Sequence, residues 1–420
     1  MDKKTVFVIG SGGRCHAMVD AFSRSKRVGK IYCAPGNAGI AKQAECIPVS
    51  VTDIEALADF AEKKNIDLTV IGPEAALCAG IVDEFKQRNL KIFGPTKEAA
   101  RIESSKEFAK EIMSKAGVPT ASYAPFTDFS EALSFVKGRP LPAVIKYDGL
   151  AAGKGVVVAT SYDEAEHALR DMLLDETFGK GKVIIEDFLE GPEFSFMCFV
   201  NGEKVYPLAL AQDHKRAFDG DAGPNTGGMG AYSPVPFIDS DTEDVALNTI
   251  MKPVAKAMVE NGTPFTGILY GGLILTKDGP KVIEFNARFG DPETEVVLHR
   301  LKSDLYDFIE AVMTDKDYTP EWSDKACLGI VLAAKGYPGS YQKGLRFRTL
   351  DIPATVYHMG TRQKDGEIVS DGGRVLMVVG QGKTLDEARR QALEDIEKVS
   401  TDGFFFRRDI GKAAISKELN

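Results

Sequence analysis

Two stretches concentrate the chemistry of this chain, VIKYDGLAAGKGVVV at 144–158 and KVIEFNARFGDPE at 281–293. In the first, Val144, Ile145 and Lys146 read as a buried strand whose last residue carries an ammonium into a cleft. Gly149, Gly153 and Gly155 leave the loop that follows almost free of side-chain sterics. A loop of this kind lays backbone N–H groups along phosphates, with Lys154 as a compact charge. It is not a Walker loop, because Gly155 rather than Ser or Thr follows the lysine and no hydroxyl is offered to magnesium. In the second stretch, Lys277-Asp278-Gly279 between two apolar runs predicts paired antiparallel strands over 271–276 and 281–286. Glu284 and Asn286 then share a face, giving a magnesium ion two oxygen ligands while phosphates and water supply the rest. Arg288, two residues on, is placed to clamp a phosphoryl or carboxylate group through paired hydrogen bonds. Each stretch alone also reads blandly, as a glycine hairpin with a solvated lysine or as a polar strand end. Their pairing suits a nucleoside triphosphate held against a carboxylate substrate.

The elements that position these residues follow from patterning. Between residues 5 and 93 the chain alternates: strand 5–10, helix from about 14, strand 30–34, helix from Asp53, strand 67–71, helix 76–88, strand 91–93. This alternation implies a parallel sheet covered on both faces. The first turn, Gly10-Ser11-Gly12-Gly13-Arg14, lacks the third glycine of a dinucleotide fingerprint, where Cys15 stands. The second strand also ends without the acidic residue that would hold a ribose. A helix N-terminus here still offers N–H groups for one phosphate. Residues 104–117 predict a helix carrying Lys106, stopped by Gly117 and Pro119. Residues 121–186 form a small unit of strands and helix ending in Val183-Ile184-Ile185-Glu186, and the helix 161–174 places His167 on the surface. The polar run QDHKRAFDGDAGPNTGGMGAY reads as a long mobile loop. After about 328 come the strand LGIVLAA, a turn at 336–339 and a helix over 385–399. That helix aligns Leu385, Ala388, Ala392, Leu393 and Ile396 as a packing face.

Composition sets the class. At 420 residues and 44% hydrophobic content the chain can bury more than one core, which predicts two to four domains. A net charge of -9 argues against a nucleic-acid partner, which would need a basic face. Six cysteines without CxxC spacing read as reduced thiols in a cytoplasm. No apolar run approaches the roughly 20 residues of a membrane span, and the strand that starts almost at the N-terminus leaves no room for a signal sequence.

The chain resembles the phosphoribosylamine–glycine ligase family of purine biosynthesis, within the ATP-grasp superfamily, nearly end to end. The resemblance is carried by GSGGRCHA at 10–17, PGNAG at 35–39, GPE at 72–74, both stretches above, QDHKR at 212–216, GPNTGGMGAYSP at 223–234 and GGRVL at 372–376. It implies an α/β and α+β multidomain chain in which a Rossmann-like N-terminal domain (1–103) precedes an ATP-grasp fold. That fold comprises a central domain (104–120 and 187–327) and a lid subdomain (121–186), with a small α+β C-terminal domain (328–420) after it. The resemblance assigns Lys106, Lys146, Gly149, Gly153, Lys154, Gly155, Glu186, Leu189 and Glu193 to ATP, and Glu284 and Asn286 to Mg2+ or Mn2+. Lys146 and Arg288 would serve catalysis. Gly10, Gly12, Gly13, Asn37, Glu74, Asp213, Arg216, Arg288 and Asp291 would serve the substrates. Asn37 and Glu74 read equally as loop caps, and the alternative for Asp213 with Arg216 is a structural surface ion-pair cluster.

The implied reaction joins glycine to 5-phosphoribosylamine at the expense of ATP. A carboxylate resists amine attack, so it is first phosphorylated to glycyl phosphate, which a closed lid shields from water. The implied protein is a cytoplasmic monomer with small-molecule partners, no nucleic acid and no membrane. Two departures stand out: the family usually has Glu where this chain has Cys15, and 271–276 contains no third carboxylate ligand. Other readings are a different ATP-grasp ligase or carboxylase, a nicotinamide oxidoreductase, and a catalytically dead nucleotide-binding regulator.

Overall fold

The computed structural model describes residues 3–149 and 155–418, so Gly153 and Lys154 of the glycine loop lie outside the described residues. The N-terminal alternation builds a parallel five-stranded sheet in the order Glu45–Cys46, Val28–Pro35, Lys4–Gly10, Leu68–Ile71, Ile92–Phe93. The first strand lies in the middle of this order, with chain connections leaving in opposite directions on its two sides. Gly10 and Gly72 therefore end neighbouring strands at the switch point, where open α/β sheets bind ligands. The helix expected over 76–88 is two helices, Glu74–Ala79 and Ile81–Gln87. Gly80 at φ +90° sits in the left-handed region and ends one helix as it starts the other.

An antiparallel sheet in the order Lys204–Pro207, Glu193–Asn201, Thr266–Thr276, Gly279–Asn286 forms the centre. Its predicted hairpin pairs Gly272 with Glu284 and Tyr270 with Asn286, and a bulge shifts the register between Gly272 and Leu273. The bulge is a local irregularity that two-residue alternation does not encode. A second antiparallel sheet, Tyr123–Phe126, Val183–Asp187, Ala143–Tyr147, Val156–Ala159, carries the helices Phe129–Lys137 and Tyr162–Leu173. Its apolar core of Ala132, Val136, Ile145, Leu169 and Ile185 is separate from the rest of the interior. His167 is exposed on the second of these helices.

The terminal sheet reaches further back in the chain than residue 328. Ala326–Ala334 pairs with Arg374–Gly382 on one side and with Gly230–Ser233 on the other, and Gln212–Asp213 forms its edge. The run expected as a mobile loop is thus largely ordered. Arg216–Phe218 and Ala222–Asn225 form a hairpin turning through Gly220 and Asp221, both at positive φ. Arg407, with its side chain 1% exposed, ties the hairpin down through Asp221 (2.8 Å) and the Arg216 carbonyl (3.0 Å). Polar anchoring replaces the apolar contacts the segment lacks. The helix Leu385–Val399 buries Leu385, Ala388, Ala392 and Ile396, whereas Leu393 is half-buried. That helix lies so close to its sheet that a Cβ at Gly380 would meet the Ala388 carbonyl at 2.1 Å. The Phe199 ring joins the modules by packing on Phe93 (5.2 Å), Phe289 (5.8 Å) and Phe308 (4.6 Å).

Candidate active site

The first part of the site is built where the sheet carrying Ala143–Tyr147 and Val183–Asp187 meets the central hairpin. Lys146 ends the expected buried strand with 4% exposure, and its ammonium donates to the Ile283 carbonyl (3.0 Å) and pairs with Glu186 (2.9 Å). Glu186 also holds Lys110 at 3.2 Å, so one buried carboxylate serves two buried ammonium groups. Lys110 escaped the sequence reading. It lies one helical turn beyond Lys106 on the helix Lys106–Ala116, but no local signal ties it to residue 186. Lys106 starts that helix, donates to the Gly149 carbonyl (3.1 Å), and has its backbone N–H held by Asp148 (2.6 Å). Burial lowers its pKa and the nearby Lys146 adds to this, while Glu284 opposes it. These contacts place Lys106, Lys146, Gly149, Glu186 and Glu284 around one cleft. Gly155 immediately precedes the return strand, its carbonyl accepting from Tyr147 N (2.8 Å), and Leu189 lies half-buried just past Asp187.

The carboxylate that the hairpin was expected to offer has no competitor. Glu284 is partly buried, accepts no hydrogen bond and makes no ion pair among the described residues, although Lys106 and Lys215 are near enough to feel its charge. Asn286 lies two residues along the same face, and its Oδ1 meets Arg288 at 3.5 Å. An unpaired carboxylate beside an amide oxygen, in a cleft lined by lysines, fits a hard divalent cation. No cluster of three acidic, His or Cys side chains able to hold a metal occurs among the described residues, so other oxygens must complete the shell. Lys215 lies on the far wall of the cleft, bonded to Glu193 and Asp213, each at 3.1 Å. Burial alone would lower its pKa, but the two carboxylates raise it well above the usual lysine value. Beneath it, Glu293 accepts from Ser195 (2.9 Å) and Tyr270 (2.7 Å) in a fully buried cluster, and burial next to Asp213 pushes its pKa up.

Arg288 does not stand free. It pairs with Glu103 (2.9 Å) and Glu74 (3.3 Å), which fix its guanidinium between the central hairpin and the second switch-point strand. Burial would raise Glu74, yet Arg288 and Arg14 hold it below the usual carboxyl range. Glu103 keeps a raised pKa through burial even though Arg288 opposes it. Beyond the second strand of the N-terminal sheet the Asn37 amide is fully engaged. It donates to the Ser11 (2.7 Å) and His358 (2.9 Å) carbonyls and accepts from Gly39 (2.8 Å) and Ile40 (2.9 Å), bracing its loop. Gly10 and Gly12 lead into the helix Gly13–Ser23, whose N-terminus has no side-chain cap of its own. It already meets an anion, because Asp291 accepts from Arg14 N at 3.2 Å. Asp291 also pairs with Arg14 Nε (3.4 Å) and Arg374 (2.9 Å), which hold its pKa down against burial. Arg216 is exposed and donates to Gly223 O (2.8 Å) within its own hairpin, away from the cleft residues.

Glu295 is the outlier of the region. It is fully buried and neither carboxyl oxygen has a hydrogen-bond partner; a Cβ on Gly13 would meet its Oε1 at 2.1 Å. Burial, with Asp291 adding to it, raises its pKa well above the carboxyl range. The native chain therefore holds a proton that the unfolded chain has released. Stability from this group is complete below the ordinary carboxyl range and is lost as pH climbs toward the raised value. Glu295→Gln is expected to stabilise the fold by about 1 kcal/mol at neutral pH, because the amide is as unmet as the carboxyl but folds without taking up a proton. Urea unfolding at several pH values should show a flatter pH dependence for the variant, and identical slopes would contradict this assignment.

Comparison with known proteins agrees with this architecture. The phosphoribosylglycinamide synthetase N domain matches residues 4–103, the ATP-grasp (A) domain of that family 104–294, and its C domain 327–413. The phosphoribosylamine–glycine ligase of Halalkalibacterium halodurans is 52% identical over 98% of this chain and 97% of its own, and that of Listeria innocua is 50% identical over 97% and 99%. The crystal structure of the Thermotoga maritima phosphoribosylamine–glycine ligase superposes with a TM-score of 0.84 at 36% identity, covering 97% of this chain and all of that one. A Campylobacter jejuni biotin carboxylase complex, at 16% identity and a TM-score of 0.75, shares the fold. The N-terminal parallel sheet, the lid and central sheets enclosing the cleft, and the terminal sheet are those of an ATP-grasp enzyme. The chain belongs to the phosphoribosylglycinamide synthetase family.

Proposed function

We propose that the protein ligates glycine to 5-phosphoribosylamine, using ATP and giving glycinamide ribonucleotide, ADP and phosphate in purine biosynthesis. The observation that carries this reading is the cleft itself. Lys106, Lys146 and Lys215 surround an unpaired Glu284, with the switch-point turns of the N-terminal sheet alongside.

In this reading Lys106 and Lys146 bind the phosphate chain, and the lid strand with Glu186 and Leu189 borders the adenine. Phosphoryl transfer asks the protein chiefly for positioning and charge neutralisation. Glu284 and Asn286 would hold a magnesium or manganese ion, which when bound neutralises charge on the phosphates. Lys146, fixed by Glu186, orients the phosphoryl group toward the glycine carboxylate. Asp213 faces the glycine ammonium. The activated acyl group, glycyl phosphate, is then attacked by the amine of phosphoribosylamine held near Gly10, Gly12, Gly13 and Glu74. Arg288 acts from its seat between Glu74 and Glu103, and Asp291 acts through the arginines it anchors. We place the domain boundaries at 103, 120, 186 and 327, and take the enzyme to work as a cytoplasmic monomer. Its buried unpaired cysteines suit a reducing compartment, and no helix among the described residues is long and apolar enough to cross a membrane.

The test is ADP release with phosphoribosylamine generated in place, with and without glycine. ADP formation is expected to require glycine, with one amide product formed per ADP. Nucleotide turnover indifferent to glycine would favour another ligase of the same fold.

A further inference from the structure

Among the contacts the terminal domain makes near the cleft, one side chain grips both a carboxylate and a glycine corner. Arg374, which opens the strand Arg374–Gly382, donates to Gly227 O (2.6 Å), Gly228 O (3.3 Å) and Asp291 O (3.0 Å), and pairs with the Asp291 carboxylate (2.9 Å). Gly227 and Gly228 form the corner between the hairpin that follows Asp213 and Lys215 and the strand Gly230–Ser233. The corner is shaped for this contact. Gly228 is at φ +110°, and a Cβ there would meet Pro292 Cδ at 2.4 Å, while one on Gly227 would meet the guanidinium carbon at 3.1 Å. The same Asp291 pairs with Arg14, whose own N–H groups hold Gly72 O (3.2 Å) and Phe289 O (2.8 Å). One carboxylate thus joins two arginines, each gripping by its carbonyls a turn that borders a different substrate.

We propose that Arg374 is a positioning residue for the ligation, holding the Gly227–Gly228 corner so that the hairpin seals the activated acyl group from water. The inference rests on the acyl-phosphate reading above. In a leaky site water adds to the acyl phosphate, phosphate departs and glycine is regenerated, so the net change is hydrolysis of ATP to ADP and phosphate. A planar fork spans several carbonyls and a carboxylate at once, and an ammonium does not.

The experiment compares wild type, Arg374→Lys and Gly227→Ala for ADP and amide product formed per unit time, with thermal melting as a check on folding. Arg374→Lys keeps the charge beside Asp291. Gly227→Ala leaves Arg374 intact and wedges the corner away from it. Both are expected to raise the ratio of ADP to product from one to several, with kcat/KM for glycine down about tenfold, as small misplacements cost. A purely structural role would lower both products together and leave the ratio at one. Wild-type ADP formation that ignores glycine would reject the underlying reading. A coupled wild type with unit ratios in both variants would reject the role of Arg374 alone.

Discussion

Glu284→Ala is expected to cut ADP formation by about a hundred- to a thousandfold, while leaving the melting temperature nearly unchanged. The two halves of this outcome come from one observation, that the Glu284 carboxylate has no hydrogen bond or ion pair among the described residues. Nothing in the fold loses a partner when it goes, and a partly exposed side chain without partners typically moves stability by no more than about 0.5 kcal/mol. The bound phosphates, however, lose the protein carboxylate that balances their cation, and such preorganised charge is worth about a hundred- to a thousandfold for a single group. Glu284→Asp keeps the charge but withdraws it along the strand, so it should retain a trace of activity that responds to raised metal concentration. Full activity in the alanine variant, read as ADP release with all substrates present, would remove Glu284 from the metal site.

The opposite pattern is expected at Glu186. Its carboxylate neutralises Lys110 and Lys146 in a place where all three side chains are at most 5% exposed. Removing it leaves two ammonium groups facing each other in a dry environment, and breaking such a buried pair typically costs about 3–5 kcal/mol. Burial already lowers the Lys110 pKa against the pull of Glu186, so without that pull the side chain is expected to lose its proton rather than remain charged. Urea unfolding of Glu186→Ala should therefore show a loss on that scale, whereas Lys110→Met, which leaves the Lys146 pair intact, should lose less. If Glu186→Ala unfolded at the wild-type midpoint, the trio would have to be solvated.

Sequence and structure agree where the signal is local. Strand alternation placed four strands of the five-stranded sheet, missing only the two-residue edge Glu45–Cys46, and Lys277-Asp278-Gly279 set a hairpin whose pairing brings Glu284 and Asn286 to one face. Glycine chemistry set the end of the Lys106 helix at Gly117, which is left-handed. The missed ion pairs join residues far apart in the chain: Lys110 with Glu186, Glu103 with Arg288, Asp291 with Arg374. A periodicity carries no information about such pairs, and a charged residue destined for burial looks like any solvated one until its partner is known. Gly80 escaped for a different reason. An isolated glycine inside an apolar pattern is tolerated in many helices, and here the fold uses it as a joint between two. The stretch 212–232 read as loop because its strands are two to four residues long and its anchors, Arg374 and Arg407, arrive from more than a hundred residues later.

The self-contained apolar interior of the lid has a thermodynamic corollary. The ties that fasten this flap to the body include the Lys146 ammonium on the Ile283 carbonyl, the Asp148 carboxylate on the Lys106 amide and the ion pair of Lys182 with Glu107. Water can replace these links as they open, but not the buried pair of Lys110 with Glu186 that also joins flap to body, so an outward swing leaves the greasy interior of the flap dry while it strains that one pair. In the reading proposed above, the cost of admitting a nucleotide is then concentrated in that single buried pair rather than spread over the fold, and the doorway can work many times while the house stands.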